Sequence, residues 1–171
     1  MTNKEIYQCA PKYYHYYFDL VETNDLLSEL KKTTLLTEKI FALITPEKEN
    51  FSYAANKWTT KEVLKHIIDC ERIFAYRALR FSRFDNTELA GFDENKYIDN
   101  IKTAEQNLLD LQDEYLTVRK STILLFKNMT NEMLDFKGIA NKSSLTARTI
   151  GFMIIGHNLH HNNFIQSTYL S

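Results

Sequence analysis

From Leu108 to Met129, apolar and small residues recur in alternating steps of three and four: Leu108, Leu111, Tyr115, Val118, Thr122, Leu125 and Met129. This is the period of one face of an α-helix. Lys and Glu fill the other face, so the segment from about Thr103 to Met129 reads as an amphipathic helix with one side in a core. Nothing nearby interrupts such helices, because the 171 residues include only four Gly and two Pro. So few breakers argue against a turn-rich β-sandwich, and no segment carries a strand signal.

Three more segments share the helical period. From about Asn24 to Ile44, a weaker stripe places Leu27, Leu30, Thr34, Phe41 and Ile44 on one side. The second helix has the sharpest start. Thr59 followed by Glu62 makes a capping box, Trp58 and Val63 are placed as a hydrophobic staple, and Val63, Ile67, Cys70 and Phe74 keep one face apolar to about Phe81. The fourth helix, from about Leu145 to Tyr169, turns Ile150, Met153, Ile154, His157, His161, Phe164 and Thr168 inward.

The connections run to roughly 14–20 residues, longer than the turns of a simple up-and-down bundle. One connection occurs twice. Ile44-Thr45-Pro46-Glu47, Phe51 and Asn56-Lys57 match Met129-Thr130-Asn131-Glu132, Phe136 and Asn141-Lys142 at a constant offset of 85 residues. The chain thus reads as two similar helix–linker–helix halves packed with approximate two-fold symmetry. The expected fold is all-α, a four-helix bundle with long crossover connections. Residues 1–171 form one domain in this reading, with the aromatic segment 1–23 packing on it.

Composition removes several function classes. Lys plus Arg number 21 against 22 Asp plus Glu, without a basic stripe, so nucleic acid is not an expected partner. No stretch approaches the roughly 18 apolar residues that span a bilayer, and Met1–Glu5 lead into no apolar signal core, so neither a membrane nor export is expected. Cys9 and Cys70 make no disulfide framework, which fits a cytoplasmic setting.

The chemistry lies in the histidines: His15, His66, His157, His160 and His161. His157 and His161 stand one helical turn apart, with Cβ atoms roughly 5–6 Å apart, close enough for both rings to reach one metal ion. His160 points about a hundred degrees away from His161 and cannot be an equal partner of His157. Because the pair lies on the apolar face, its ring nitrogens need partners, and a metal supplies one. His66, among Val63, Ile67 and Cys70, is the third candidate ligand. The competing reading makes these residues hydrogen-bonded core histidines, and Cys70 a small core hydrophobe.

Residues Lys57–Arg72 (Lys57-Trp58-Thr59-Thr60-Lys61-Glu62-Val63-Leu64-Lys65-His66 and onward) resemble the second-helix motif of the DinB/YfiT-like metalloenzymes. Arg77-Ala78-Leu79-Arg80-Phe81, leading to Gly91-Phe92-Asp93-Glu94-Asn95, continues the likeness. Arg148-Thr149-Ile150-Gly151 through Gly156-His157 to His160-His161 is similar to the family's fourth-helix motif. The resemblance spans about Asp25 to Leu170. It implies a bundle of unusual connectivity holding one divalent metal, typically zinc or nickel, with His66, His157 and His161 at the ligand positions. It also implies a small-molecule substrate and, for relatives that transfer sulfur, a low-molecular-weight thiol such as bacillithiol or mycothiol. A homodimer is a habit of the family and suits the aromatic N-terminus.

Three neutral ligands with open positions match a catalytic site more than a structural one. A metal so held lowers the pKa of a bound water or thiol, which gives either a hydrolase or a thiol S-transferase. Asp69, one turn after His66, is placed either to orient a ligand or the bound water, or as an exposed helix charge. Glu71 and Arg72 are expected in surface pairs. The Gly91–Asn95 loop is a candidate lid, with Phe92 or Asp93 at the substrate, or else a crossover that Phe92 pins to the bundle. Tyr13–Phe18 is too apolar to be free and is expected to pack across the bundle or on a second subunit, where it is also a candidate wall of the pocket. A ferritin-like di-iron enzyme needs Glu-x-x-His pairs, and the sequence has none. The remaining rival is a stress-response or interaction protein that keeps the metal as a structural clip.

Overall fold

The computed structural model describes residues 3–171, with side chains from Ile6. Short helices α1 (Asn3–Gln8) and α2 (His15–Asp19) lead into α3 (Leu26–Leu43), and α4 (Pro46–Glu49) precedes α5 (Thr60–Ser82). Next come α6 (Glu94–Asp99), α7 (Leu108–Lys127), α8 (Asn131–Asp135), a hairpin of β1 (Lys137–Ala140) and β2 (Ser143–Thr146), and α9 (Ala147–Phe164). The last helix runs on into a π-helical turn, Ile165–Tyr169. No helix among the described residues is long and apolar enough to cross a membrane.

Side-chain caps set where the four long helices begin. Asp25 accepts from the Ser28 N–H at 3.0 Å, and Asn107 accepts from the Leu109 N–H at 2.8 Å. Thr59 and Glu62 form the reciprocal box expected at the head of α5, and Thr146 and Thr149 form another at the head of α9. The Asn107 cap explains why α7 starts at Leu108 and not near Thr103. Thr103–Glu105 forms a separate 3-10 turn, and the preceding connection is accordingly longer than the periodicity implied. In α3 the buried side is Leu26, Leu30, Thr33, Thr37, Ile40 and Phe41. Leu27 and Thr34 sit at its margin, while Thr33 and Thr37 bond back to helix carbonyls and pass as core residues.

The long helices α3, α5, α7 and α9 form the bundle. In it α3 packs on α7 and α9, and α5 packs on the same two, so α3 and α5 are diagonal, as are α7 and α9. Two apolar clusters fill its ends. One holds Leu30, Phe74, Phe81, Phe126, Ile150 and Ile154, the other Ile40, Leu64, Ile67, Leu111, Tyr115 and Ile165. From the order in which each helix passes through these clusters, α3 runs parallel to α9, and α5 parallel to α7.

Between the clusters lies a polar layer that includes Glu71, which the sequence reading placed in a surface pair. Glu71 is 2% exposed and Arg119 is fully buried. Arg119 donates from Nε to Glu71 Oε1 at 2.8 Å and from Nη2 to Glu71 Oε2 at 2.8 Å. It also donates to the Leu30 carbonyl and to Asn158 Oδ1. Tyr115 and Thr37 donate to the same Asn158 oxygen. One residue or more from each long helix is thereby tied to a single point. Arg72, in contrast, does pair at the surface, with Asp69 and Glu114.

The internal repeat is visible in three dimensions. Thr45 and Thr130 head the short helices α4 and α8, and Asn56 and Asn141 both adopt the left-handed conformation, at φ 61° and 50°. In the second linker Asn141 and Lys142 together close a two-residue hairpin turn with both φ positive. The hairpin departs from the expectation of no strands. Gly138 makes it possible, since a Cβ there would stand 2.1 Å from the Phe81 ring. Leu89 bridges to Ala140 beside it and ties down the connection that leaves α5.

Candidate metal centre

The α5–α9 contact brings His66, His157 and His161 together. His66 Nε2 lies 3.0 Å from His157 Nε2, which lies 3.1 Å from His161 Nε2. One ligand atom from each of the three falls within 4.8 Å of the others. His66 and His157 are 8% exposed, and His161 is half-buried. The rotation of α9 that aims His157 at α5 is set by its neighbour, because Asn158 points into the Arg119 layer. The His161 Nδ1 is buried without a hydrogen-bond partner, so this ring makes its polar contacts through Nε2.

Burial controls the charge of the cluster. It pushes His66 down to about 4 and His161 to about 3, and His157 well below the ordinary value, with the neighbouring histidines adding repulsion. The rings are therefore neutral near pH 7. Neutral imidazoles are what a metal ligates.

The linkage has a definite sign. In metal-free protein the unfolded chain takes up protons near 6.5, whereas folded His66 resists until about 4. Between those values the unfolded state binds more protons, so stability is complete above the upper value and falls as pH drops toward the lower. Thermal melts of metal-free protein between about pH 5 and 7 should show this decline, and His161→Asn should flatten it. A level wild-type profile would contradict the burial argument.

Rings from other segments hold the site. Trp58 lies against His66 with centroids 4.9 Å apart, and Tyr17 meets His157 edge-on at 5.7 Å. Tyr17 can approach because α9 has Gly156 there: a Cβ would lie 2.1 Å from the Tyr17 carbonyl oxygen. Gly156→Ala should therefore push α2 off α9, costing about 1–3 kcal/mol, and should lower the melting temperature by several degrees while opening the histidine side of the cleft.

Two adjoining clefts flank the cluster. One, of about 350 Å³, is lined by Tyr53, Trp58, Val63, His160, His161 and Phe164. The other, of about 460 Å³, reaches all three histidines and is walled by Tyr13, Tyr14 and Tyr17 on one side and by Phe92 on the other. Sequence reasoning did not pick out Trp58 as a neighbour of the histidines, since it was legible only as a capping staple. Tyr17 belongs to the aromatic segment expected to pack across the bundle and wall the pocket, and it lines the cleft.

The other candidates take varied positions around the cluster. Asp69 contacts Lys65 at 3.7 Å and Arg72 at 3.4 Å, and no hydrogen bond joins it to an imidazole among the described residues. Burial raises its pKa, against the pull of Lys65 and Arg72, and it shares a narrow recess with His66 and Cys70. Cys70 Sγ is 3.6 Å from His66 Nδ1, and burial pushes its thiol pKa up, so it stays protonated. His160 stands beside the cluster against Tyr16 and Tyr17 and lines both clefts. Asp93 caps α6 through the Asn95 and Lys96 N–H groups, whereas Phe92 reaches the cleft.

Residues 29–165 match the DinB superfamily, and the chain belongs to that family. Among solved structures it resembles that of YfiT from Bacillus subtilis, described as a probable metal-dependent hydrolase with an unusual four-helix bundle topology. The TM-score is 0.74 at 14% identity, over 84% of this chain and 83% of that one, so the likeness is one of fold. No functionally curated protein sequence matches.

Proposed function

We propose that this protein is a metal-dependent hydrolase of a small molecule, with His66, His157 and His161 holding one divalent ion, zinc or nickel. The observation that carries the reading is the convergence of three Nε2 atoms on one point beside two clefts. Neutral tautomers pair these nitrogens only by pointing the N–H of one ring at the lone pair of another. A cation accepts all three lone pairs at once, and so the donor set fits a metal. The description of YfiT as a probable metal-dependent hydrolase supports the same class.

A divalent cation bound there supplies a nucleophile near neutral pH by lowering the pKa of water. The chain's own residues do the rest. Burial keeps the three imidazoles neutral and available. Trp58 and Tyr17 fix the planes of His66 and His157, and the aromatic walls keep bulk water from the reacting group. Asp69 adds negative charge beside the cation and so favours its retention.

Elemental analysis of tag-free protein, with His66→Ala and His157→Ala beside it, tests the site. About one ion per chain is expected, and loss in both variants. Ester and amide hydrolysis should then require the loaded wild type. A thiol conjugation assay run in parallel would reveal the transferase alternative. Wild type that takes up neither zinc nor nickel would rule the proposal out.

A further inference from the structure

Along α5, His66, Cys70, Phe74 and Arg77 succeed one another at steps of four, four and three, so they form one stripe that faces the larger cleft. The stripe ends in a charge. Arg77 is 3% exposed, and its guanidinium carbon lies 5.6 Å from the centre of the Phe92 ring and 6.0 Å from that of Phe74. Its hydrogen bond runs from Nη2 to the Ala90 carbonyl at 2.9 Å. A guanidinium has five N–H donors, so most of its capacity is directed elsewhere.

The other buried cations show what is missing. Arg119 is paired with Glu71, Lys65 with Glu114 at 2.6 Å, and Lys61 with Glu49 at 3.5 Å. Arg77 is as buried as these, yet no carboxylate stands within 4 Å of it among the described residues. Burying an unpaired charge is destabilising, and a fold keeps one where a ligand completes it. Burial lowers the Arg77 pKa, which agrees with a desolvated cation lacking a carboxylate partner.

We propose that Arg77 is the anion-recognition residue of this cleft, and that the substrate carries a carboxylate or phosphoryl group that seats on its guanidinium. The proposal rests on the reading of the cleft as the active site. Arg77 lies three turns from His66, roughly 16 Å along the helix axis, so the anionic group is the remote handle of the substrate and not the group that reacts. The Tyr13, Tyr14 and Phe92 walls fit an apolar body between the two ends, and a volume of about 460 Å³ suits a small metabolite-sized molecule. Among the described residues Glu94 is the other charged residue on the cleft, and its carboxylate opposes an anion there.

Trp58 is the sole tryptophan and lines the cleft, so its emission reports occupancy. Benzoate and phenyl phosphate would be titrated against benzamide, their neutral counterpart, in zinc-loaded and in chelator-treated full-length protein. In the metal-free form Arg77 is the cation left for them to find. At least one anion should bind about tenfold more tightly than benzamide, and Arg77→Gln should lose about tenfold or more of that affinity, with Arg77→Lys between. Glu94→Gln, at an exposed position, should bind the anion severalfold more tightly. No response to either anion, equal binding of benzamide, or a folded Arg77→Gln with undiminished affinity would overturn the proposal. If Arg77→Gln fails to fold, unchanged or weaker anion binding by Glu94→Gln would do the same. Zinc content of the same preparations is read separately, so a failed metal site and a failed anion site give different results.

Discussion

Arg119→Met is expected to destabilise the protein by about 3–5 kcal/mol, which corresponds to a melting temperature lower by about 10 °C. Methionine fills much of the arginine's volume, so the effect isolates charge and hydrogen bonding from packing. The substitution leaves Glu71 2% exposed and without its bidentate partner. It also removes a donor from the Leu30 carbonyl and from Asn158. The pKa of Arg119 records the same balance. Burial alone would lower it, yet the Glu71 carboxylate holds it above the ordinary value. Adding Glu71→Leu should recover at least half of the loss, because the buried unpaired carboxyl is then gone. Denaturant melts of the two single variants and the double variant measure the coupling. A single variant within about 1 kcal/mol of wild type would show that the layer contributes little.

Zinc should raise the melting temperature of wild type strongly. At free zinc a thousandfold above the dissociation constant the gain is about 4 kcal/mol, again near 10 °C. His157→Ala and His161→Ala should respond little, since each removes one of the three converging nitrogens. Chelation should lower the melting temperature without erasing the helical circular dichroism, because both apolar clusters hold the bundle without the histidines. Collapse of the helical signal on chelation would instead mark the metal as a structural clip, and the non-catalytic reading would gain.

How much of the fold was legible in the sequence depends on what periodicity can carry. Apolar residues at helical spacing identified four long helices, and the Thr59–Glu62 box placed the start of α5. The i, i+4 pair announced His157 and His161 because both positions sit on one helix. His66 was a weaker inference from residues alone, since its partners lie 91 and 95 positions away, and the family resemblance added what spacing lacked. Glu71 was misplaced for a physical reason: a charged residue on a helix reads as solvent-facing until its opposite charge, here Arg119, appears on another helix. Arg77 was hidden for a different reason, because the Ala90 carbonyl and the Phe92 ring that bury it come from the loop after α5. The β1–β2 hairpin escaped notice because its strands are four residues long, and its turn is Asn141-Lys142 where glycine is the usual sign. The margins of α7 and α9 moved where capping residues, which periodicity does not register, took over.

The diagonal placement of α3 with α5, and of α7 with α9, bears on how the chain folds. Each half of the internal repeat contributes two long helices that bury their apolar faces mainly on the other half. Neither half is a hairpin that can gain stability before its counterpart arrives. Nucleation therefore has to close loops that span much of the chain, which slows folding relative to an up-and-down bundle of the same length. The two halves should also melt in one transition, as interleaved fingers separate only together. During synthesis, His66 emerges long before α9 exists, so the three histidines cannot converge until α9 has been made.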